Sequence, residues 1–240
     1  MRIFLDTANV DEIAHINSWG IIEGITTNQK IFLAEKGVNF KERVLQIVNM
    51  TKGPVSVELT KKTFNELLTE AQTYWSWNTE RITVKVAMSG DGLGLEVINA
   101  LSKKHIPSNA TVMMNSAQAM LAAKSGARFV SIFYRRCLDS GGDPIQEIRR
   151  TRTFLEDSKL QTEIIAGSLR EVEDISQAFA SGAHICTVPY KVLVKAPFHP
   201  KSEETIKEFD DSWKEFLKSS SALTPTKYVK RVHKSIRVKA

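Results

Sequence analysis

Residues 81–88 read RITVKVAM, a run rich in β-branched residues interrupted at its centre by Lys85, between Val84 and Val86. Such a run has the composition of a buried strand. A lysine in a strand is ordinarily an edge or solvent-facing residue, so what Lys85 does depends on the fold around it. Seven further strand candidates flank the run: RIFLD (2–6), IIEGITT (21–27), PVSVEL (54–59), PSNATVM (107–113), RFVSIF (128–133), TEIIAG (162–167) and HICTVP (184–189). Between them lie segments of helical apolar spacing: VDEIAHINSW, FKERVLQIVNM, FNELLTEAQTYW, LGLEVINALSKK, SAQAMLAAKS, PIQEIRRTRTFLED and LREVEDISQAFAS. Strands that alternate with helices pair in parallel through right-handed crossovers. Eight such units predict a closed (β/α)8 TIM barrel. An open doubly wound sheet is the alternative, but no GxGxxG turn follows any early strand. In the barrel a strand is covered on both faces, so Lys85 must face either packed helices or the barrel interior.

A chain of 240 residues suits one such barrel, and 42% hydrophobic with 25% charged residues is the balance of a globular protein with a sizeable core. Cys137 and Cys186 are the only cysteines, too few for a disulfide framework or a zinc site, which favours a reducing compartment. No apolar run approaches the roughly 20 residues of a membrane helix, and RIFLD begins directly after Met1. A cytoplasmic protein with no membrane association is the expectation. The net charge of +6 is concentrated in residues 221–240, where Lys227, Lys230, Arg231, Lys234, Arg237 and Lys239 stand without a single acid. The other 220 residues hold 27 cations and 27 anions, which argues against a broad nucleic-acid-binding face and leaves the tail as the one candidate for polyanion contact. Residues 201–218, KSEETIKEFDDSWKEFLK, predict a further amphipathic helix with Ile206, Phe209, Trp213 and Phe216 on one stripe. The predicted organisation is a barrel with its C-terminal helix over residues 1–220 and a basic tail over 221–240.

The C-terminal ends of barrel strands carry the active site. Asp6 ends the first strand candidate, Thr26, Thr27 and Asn28 end the second, and Glu58 and Lys85 fall late in the third and fourth. Thr111, Ser131, Ser168 and Arg170 come at or after the ends of later strands. An aspartate, a glutamate and a lysine converging in such a lining are costly to bury unless paired or used. Desolvation disfavours an ammonium and moves a lysine from ~10.4 toward the ~7–8 that suits a nucleophilic amine. A neutral lysine attacks carbonyls, and the protonated Schiff base that results draws electrons from the neighbouring carbon, so aldol cleavage or formation becomes possible. Singly, each residue has a plainer reading. Asp6 and Asn28 suit turn or cap positions, Thr111 and Ser131 suit backbone satisfaction, Arg136 and Arg170 suit an open surface, and Arg135 rivals Arg136.

Taken together and in order, LDTAN (5–9), GITTNQ (24–29), VSVEL (55–59), ITVKVAMSGDGL (82–93), NATVMMNSAQAMLAAKSGARFVSIF (109–133) and IIAGSLR (164–170) resemble the transaldolase family, specifically its small single-barrel transaldolases and fructose-6-phosphate aldolases. The resemblance runs from Met1 to about residue 216. It implies transfer of a dihydroxyacetone unit from fructose 6-phosphate to erythrose 4-phosphate, giving sedoheptulose 7-phosphate and glyceraldehyde 3-phosphate, a step of the pentose phosphate pathway. It implies phosphorylated sugars as substrates, a homo-oligomer, and neither metal nor organic cofactor. By position, Lys85 is the Schiff-base nucleophile, Asp6 the acid/base, and Glu58 with Thr111 the holders of a proton-shuttling water. Asn28 and Ser131 bind hydroxyls of the donor unit, with Thr27 and Phe133 beside them, and Arg136, Ser168 and Arg170 match the phosphate-binding positions. Glu58, Ser131 and Phe133 resemble the transferase branch, where the aldolase branch tends to Gln, Ala and Tyr. The chain departs from the pattern at three places: Gln29 and Lys30 follow Asn28 where the family usually has a proline, Ala87 stands where a proline is usual, and Met114 where an aromatic residue is usual. Loss of the proline predicts a less rigidly placed Asn28. A fructose-6-phosphate aldolase is the alternative activity. A non-catalytic barrel whose tail binds a polyanion is the alternative from another class, although Tyr228 is the tail's only aromatic ring for base stacking.

Overall fold

The structure is a computed structural model that describes residues 1–219. Its first compact unit, Met1–Lys195, is a closed barrel of eight parallel strands in sequential order. The strands are β1 (Arg2–Asp6), β2 (Ile22–Thr26), β3 (Val55–Glu58), β4 (Ile82–Ala87), β5 (Ser108–Met113), β6 (Phe129–Phe133), β7 (Glu163–Gly167) and β8 (Ile185–Val188). Each falls inside the run that predicts it.

Seven helices answer the seven helical segments, among them α1 (Val10–Asn17), α3 (Phe40–Met50), α4 (Phe64–Ser76), α5 (Leu93–Lys103), α6 (Ser116–Lys124), α8 (Pro144–Asp157) and α9 (Val172–Ala180). Their starts are written locally. The amide oxygens of Asn9, Asn39 and Asn115 and the carboxylate of Asp143 accept from backbone N–H groups of the first turns of α1, α3, α6 and α8, and Pro144 opens α8. The last segment begins three residues late as a helix. Leu169 to Glu171 instead form a loop, because the Asp174 carboxylate accepts from the Arg170 and Glu171 N–H groups and closes a capping box. Three short helices, α2 (Gln29–Ala34), α7 (Tyr134–Asp139) and α10 (Tyr190–Leu193), follow strands 2, 6 and 8 and were not expected. At six, six and four residues they are too short to establish an amphipathic period.

The apolar core divides in two. The larger part lies between sheet and helices and contains the outward-facing strand residues, such as Val84, Val86, Ile132 and Val188. A smaller cluster of Phe4, Phe129, Ile165 and Ile185 plugs the barrel interior. Side chains two apart on a strand share a face. Above this plug the same faces therefore carry Asp6, Ser131, Gly167 and Thr187. The interior changes from apolar to polar toward the C-terminal ends, and that gradient positions the site.

Residues from Ala196 onward belong to a second unit, whose described part includes α11 (Pro200–Ser219). Ile206, Phe209, Trp213 and Phe216 are all exposed, and the Trp213 and Phe216 rings stack at 5.2 Å. The basic tail lies outside the described residues.

Candidate active site

At the C-terminal ends of the strands a cavity of about 460 Å³ opens. Of the residues singled out above, Asp6, Asn28, Lys85, Ser131, Phe133, Arg136 and Ser168 line it. Glu58 lines a neighbouring cavity of about 450 Å³ between the ends of β3 and β4. Thr27 and Thr111 are fully buried, and Arg170 stands outside the cavity wall.

Lys85 faces the barrel interior and is only 4% exposed. The parallel register sets it directly opposite Glu58 on β3, and the carboxylate stands 3.2 Å from Nζ. Its second partner is the Thr27 carbonyl, which accepts from Nζ at 3.1 Å, while the Thr27 hydroxyl donates to the Ser56 carbonyl at 2.8 Å and locks that peptide. A buried ammonium needs such compensation. On the other side, Thr111 follows β4's register opposite Ala87, and its Oγ1 is buried without a hydrogen-bond partner among the described residues. An unpaired buried hydroxyl fits a bound water at this point.

Asp6 sits at the end of β1, where its Oδ1 accepts from the Thr26 hydroxyl at 2.6 Å, and Thr26 in turn meets the Thr187 hydroxyl at 2.5 Å. Burial pushes the Asp6 carboxyl above its ordinary pKa, against the opposing pull of the Lys85 charge and the Thr26 hydrogen bond. Opposite the lysine on β5, Asn109 joins two strands to its own. Its Nδ2 donates to Ser56 Oγ at 3.1 Å and its Oδ1 accepts from Ser131 Oγ at 2.7 Å, so the orientation of Ser131 is set. Thr26 stands at a predicted strand end without a predicted role, and Asn109, Ser56 and Thr187 are not among the residues the sequence points to. The signal was present for two of them: Ser56 and Asn109 each precede a candidate by two residues on one strand, and therefore share its inward face.

Asn28 does act as a helix cap, its Oδ1 accepting from the Ile31 N–H at 3.0 Å, while lining the cavity. Where the family has proline, Gln29 makes a different local contact. Its side-chain amide donates to the Leu59 carbonyl at 3.0 Å and links α2 to the end of β3.

At the far wall, Ser168 adopts a left-handed backbone, φ 58°, as β7 turns into the loop. Arg135 and Arg136, adjacent on α7, part company. Arg135 is held by both oxygens of Asp174, at 2.8 and 2.6 Å, and the Arg135 charge with two backbone N–H groups keeps Asp174 below the usual carboxylate range despite its burial. Arg136 lies 5.4 Å from the Phe133 ring centroid and faces the cavity. Arg170 makes a two-pronged pair with Asp139, at 3.1 and 2.5 Å. Among the described residues no group of three or more His, Cys, Asp or Glu side chains is arranged to hold a metal ion, and no helix is long and apolar enough to cross a membrane.

Comparison with known proteins identifies the family. The model of the transaldolase/fructose-6-phosphate aldolase family matches residues 3–228, reaching into the basic tail. A probable transaldolase of Clostridium kluyveri is 40% identical over 213 residues, 89% of this chain and 97% of that one. Probable transaldolases of Alkaliphilus metalliredigens and Thermoplasma acidophilum are 36% and 37% identical, covering 91% and 89% of this chain and 100% and 96% of theirs. Among solved structures, inosine 5' monophosphate dehydrogenase of Legionella pneumophila superposes with a TM-score of 0.54 at 17% identity, over 80% of this chain and 58% of that one, a likeness of barrel fold alone. The chain belongs to the transaldolase/fructose-6-phosphate aldolase family.

Proposed function

We infer that this protein is a transaldolase that moves a dihydroxyacetone unit from fructose 6-phosphate to erythrose 4-phosphate through a Schiff base on Lys85. The observation that carries the reading is a lysine 4% exposed inside the barrel, 3.2 Å from Glu58, on the wall of a cavity that also holds Asp6. In this reading the amine first gives up its proton, for which Glu58, 3.2 Å away, is the paired carboxylate. Nζ then attacks the C2 carbonyl of the ketose, and the carbinolamine loses water to form an iminium ion. A water held between Glu58 and the unpaired Thr111 hydroxyl relays the protons of this step. Asp6 takes the C4 hydroxyl proton as the C3–C4 bond breaks, the electron pair flows into the iminium, and glyceraldehyde 3-phosphate leaves. The remaining enamine attacks the aldehyde carbon of erythrose 4-phosphate, Asp6 returns the proton, and hydrolysis of the imine releases sedoheptulose 7-phosphate. Asn28 and Ser131 hold donor hydroxyls, with Thr27 fixing the lysine and Phe133 walling the site. Arg136 and Ser168 meet the phosphate, which Arg170 would reach only by leaving Asp139.

The test is glyceraldehyde 3-phosphate release from fructose 6-phosphate, with and without erythrose 4-phosphate. Release that depends on the acceptor, and that falls roughly a thousandfold or more in Lys85→Ala, is expected. Equal release without acceptor would make the protein a fructose-6-phosphate aldolase, and a borohydride-stable adduct that persists in Lys85→Ala would remove the assigned nucleophile. Self-association, which the family resemblance implies, is read from sedimentation of the purified chain.

A further inference from the structure

The mouth of the cavity holds two cations that the chemistry above leaves unused. Lys30 and Lys191 line it together with Arg136. Lys30 stands on the first turn of α2, one helical turn from Ala34, which lines the same cavity, so that face of the helix looks inward. The cap bond from the Ile31 N–H to Asn28 and the Gln29 link to β3 fix where this turn begins. Lys191 stands on α10, immediately after β8, and the neighbouring Tyr190 anchors that turn to α1 through its hydroxyl, 2.8 Å from His15 Nδ1. Neither lysine has an ion pair or a side-chain hydrogen bond among the described residues. Asp6 is the one carboxylate on the cavity wall among those residues, and it is turned to Thr26. Like charges gathered around one opening without counter-charge repel one another unless a ligand supplies the anion.

We propose that Lys30 and Lys191 are specificity-determining residues that close an anion clamp with Arg136 and Ser168 around the terminal phosphate of the sugar. The ligand class is a phosphate monoester, a dianion near neutral pH that accepts several charge-assisted hydrogen bonds at once. Arg136, Ser168 and Lys191 follow the adjoining strands β6, β7 and β8, and Lys30 follows β2 on the opposite side of the same opening, so the phosphate is met from both sides of the cavity mouth. Its charge comes from these lysines because Arg170 is engaged by Asp139. The inference rests on the proposed sugar-phosphate chemistry, and Lys30 stands where the chain departs from the family's sequence pattern.

Two readouts test it, applied to wild type, Lys30→Ala, Lys191→Ala and the double variant. Lys104→Ala, which follows the C-terminal end of α5, serves as a control for the loss of one charge. The first is kcat/KM for erythrose 4-phosphate against unphosphorylated erythrose. The second is calorimetric binding of inorganic phosphate, which needs no turnover. Each lysine variant is expected to raise KM for the phosphorylated acceptor roughly three- to tenfold, the discount reflecting solvent exposure, with kcat and the erythrose kinetics within about twofold. Phosphate binding should weaken in the same order and be unchanged in Lys104→Ala. Equal effects on both acceptors, or phosphate binding indifferent to both lysines, overturns the clamp. A wild type that turns over no sugar yet binds phosphate through both lysines would overturn the transaldolase reading and keep the clamp. Normal transfer with indifferent lysines would do the reverse.

Discussion

At Asp6 two requirements pull in opposite directions. A carboxylate this enclosed is penalised for its charge, and burial holds its pKa above the ordinary 3.8 even though Lys85 and Thr26 favour ionisation. The folded state thus binds this proton more tightly than the unfolded chain. The group's contribution to stability is full below 3.8 and is lost as the pH rises through the folded value. Asp6→Asn keeps the protonated shape at every pH. It should lose turnover at pH 7 while melting above the wild type there, the two melting temperatures converging as the pH falls; a lower Tm for the variant at pH 7 would contradict the burial argument. Phe133 poses a second question on the same wall. A Phe133→Tyr hydroxyl placed near the water-handling groups is expected to raise acceptor-independent release of glyceraldehyde 3-phosphate, and an unchanged ratio of cleavage to transfer would remove the rationale for reading this position as branch-determining. Arg136→Ala should raise KM for phosphorylated substrates roughly ten- to a hundredfold, the worth of charge-assisted hydrogen bonds. Arg170→Ala should do much less.

At the scale of elements, two irregularities stand out, one beside the site and one at the opposite end of the barrel. In β5 the pairing with β6 slips between Ala110 and Met113, and Val112 takes φ 63°, a left-handed conformation that is an outlier for a β-branched residue. Thr111 lies within this slip. Val112→Gly relieves strain of about 1–3 kcal/mol and should therefore melt close to the wild type, although the same change at the regular, fully buried Val84 should cost several kcal/mol. The second is the α3–β3 loop. A Cβ on Gly53 would stand 1.8 Å from the Glu23 carbonyl oxygen, backbone against backbone, so only glycine lets the loop approach β2. Gly53→Ala should cost about 2 kcal/mol or more and lower Tm by roughly 4–8 °C. A Tm within a degree of the wild type would show that the loop can yield. The strands and long helices are legible in the sequence because their periodicities are local. The slip in β5 is not, because it arises from fitting one strand between two others.

For the whole molecule, charge separates the two classes of function considered. Deleting residues 221–240 removes six cations and no acid, leaving 27 of each sign. The expected outcome is weaker retention on a polyanion column with transfer activity intact; activity lost with the tail would tie it to catalysis. The sequence by itself determined the eight strands, their parallel order and the presence of Lys85, Asp6 and Glu58 near strand ends, since the alternation of strand and helix and the two-residue period of a strand's faces are properties of neighbouring residues. It also placed Ser131 and Asn28, which sit on or directly after a strand. What only the tertiary structure decided is where the long cationic side chains go. Arg135 turns to Asp174, Arg136 to the cavity and Arg170 to Asp139, while Lys30 and Lys191 line the mouth. Those choices rest on carboxylates more than thirty residues away in the chain and on short helices at the cavity mouth, and a long flexible side chain follows whatever three-dimensional packing puts beside it.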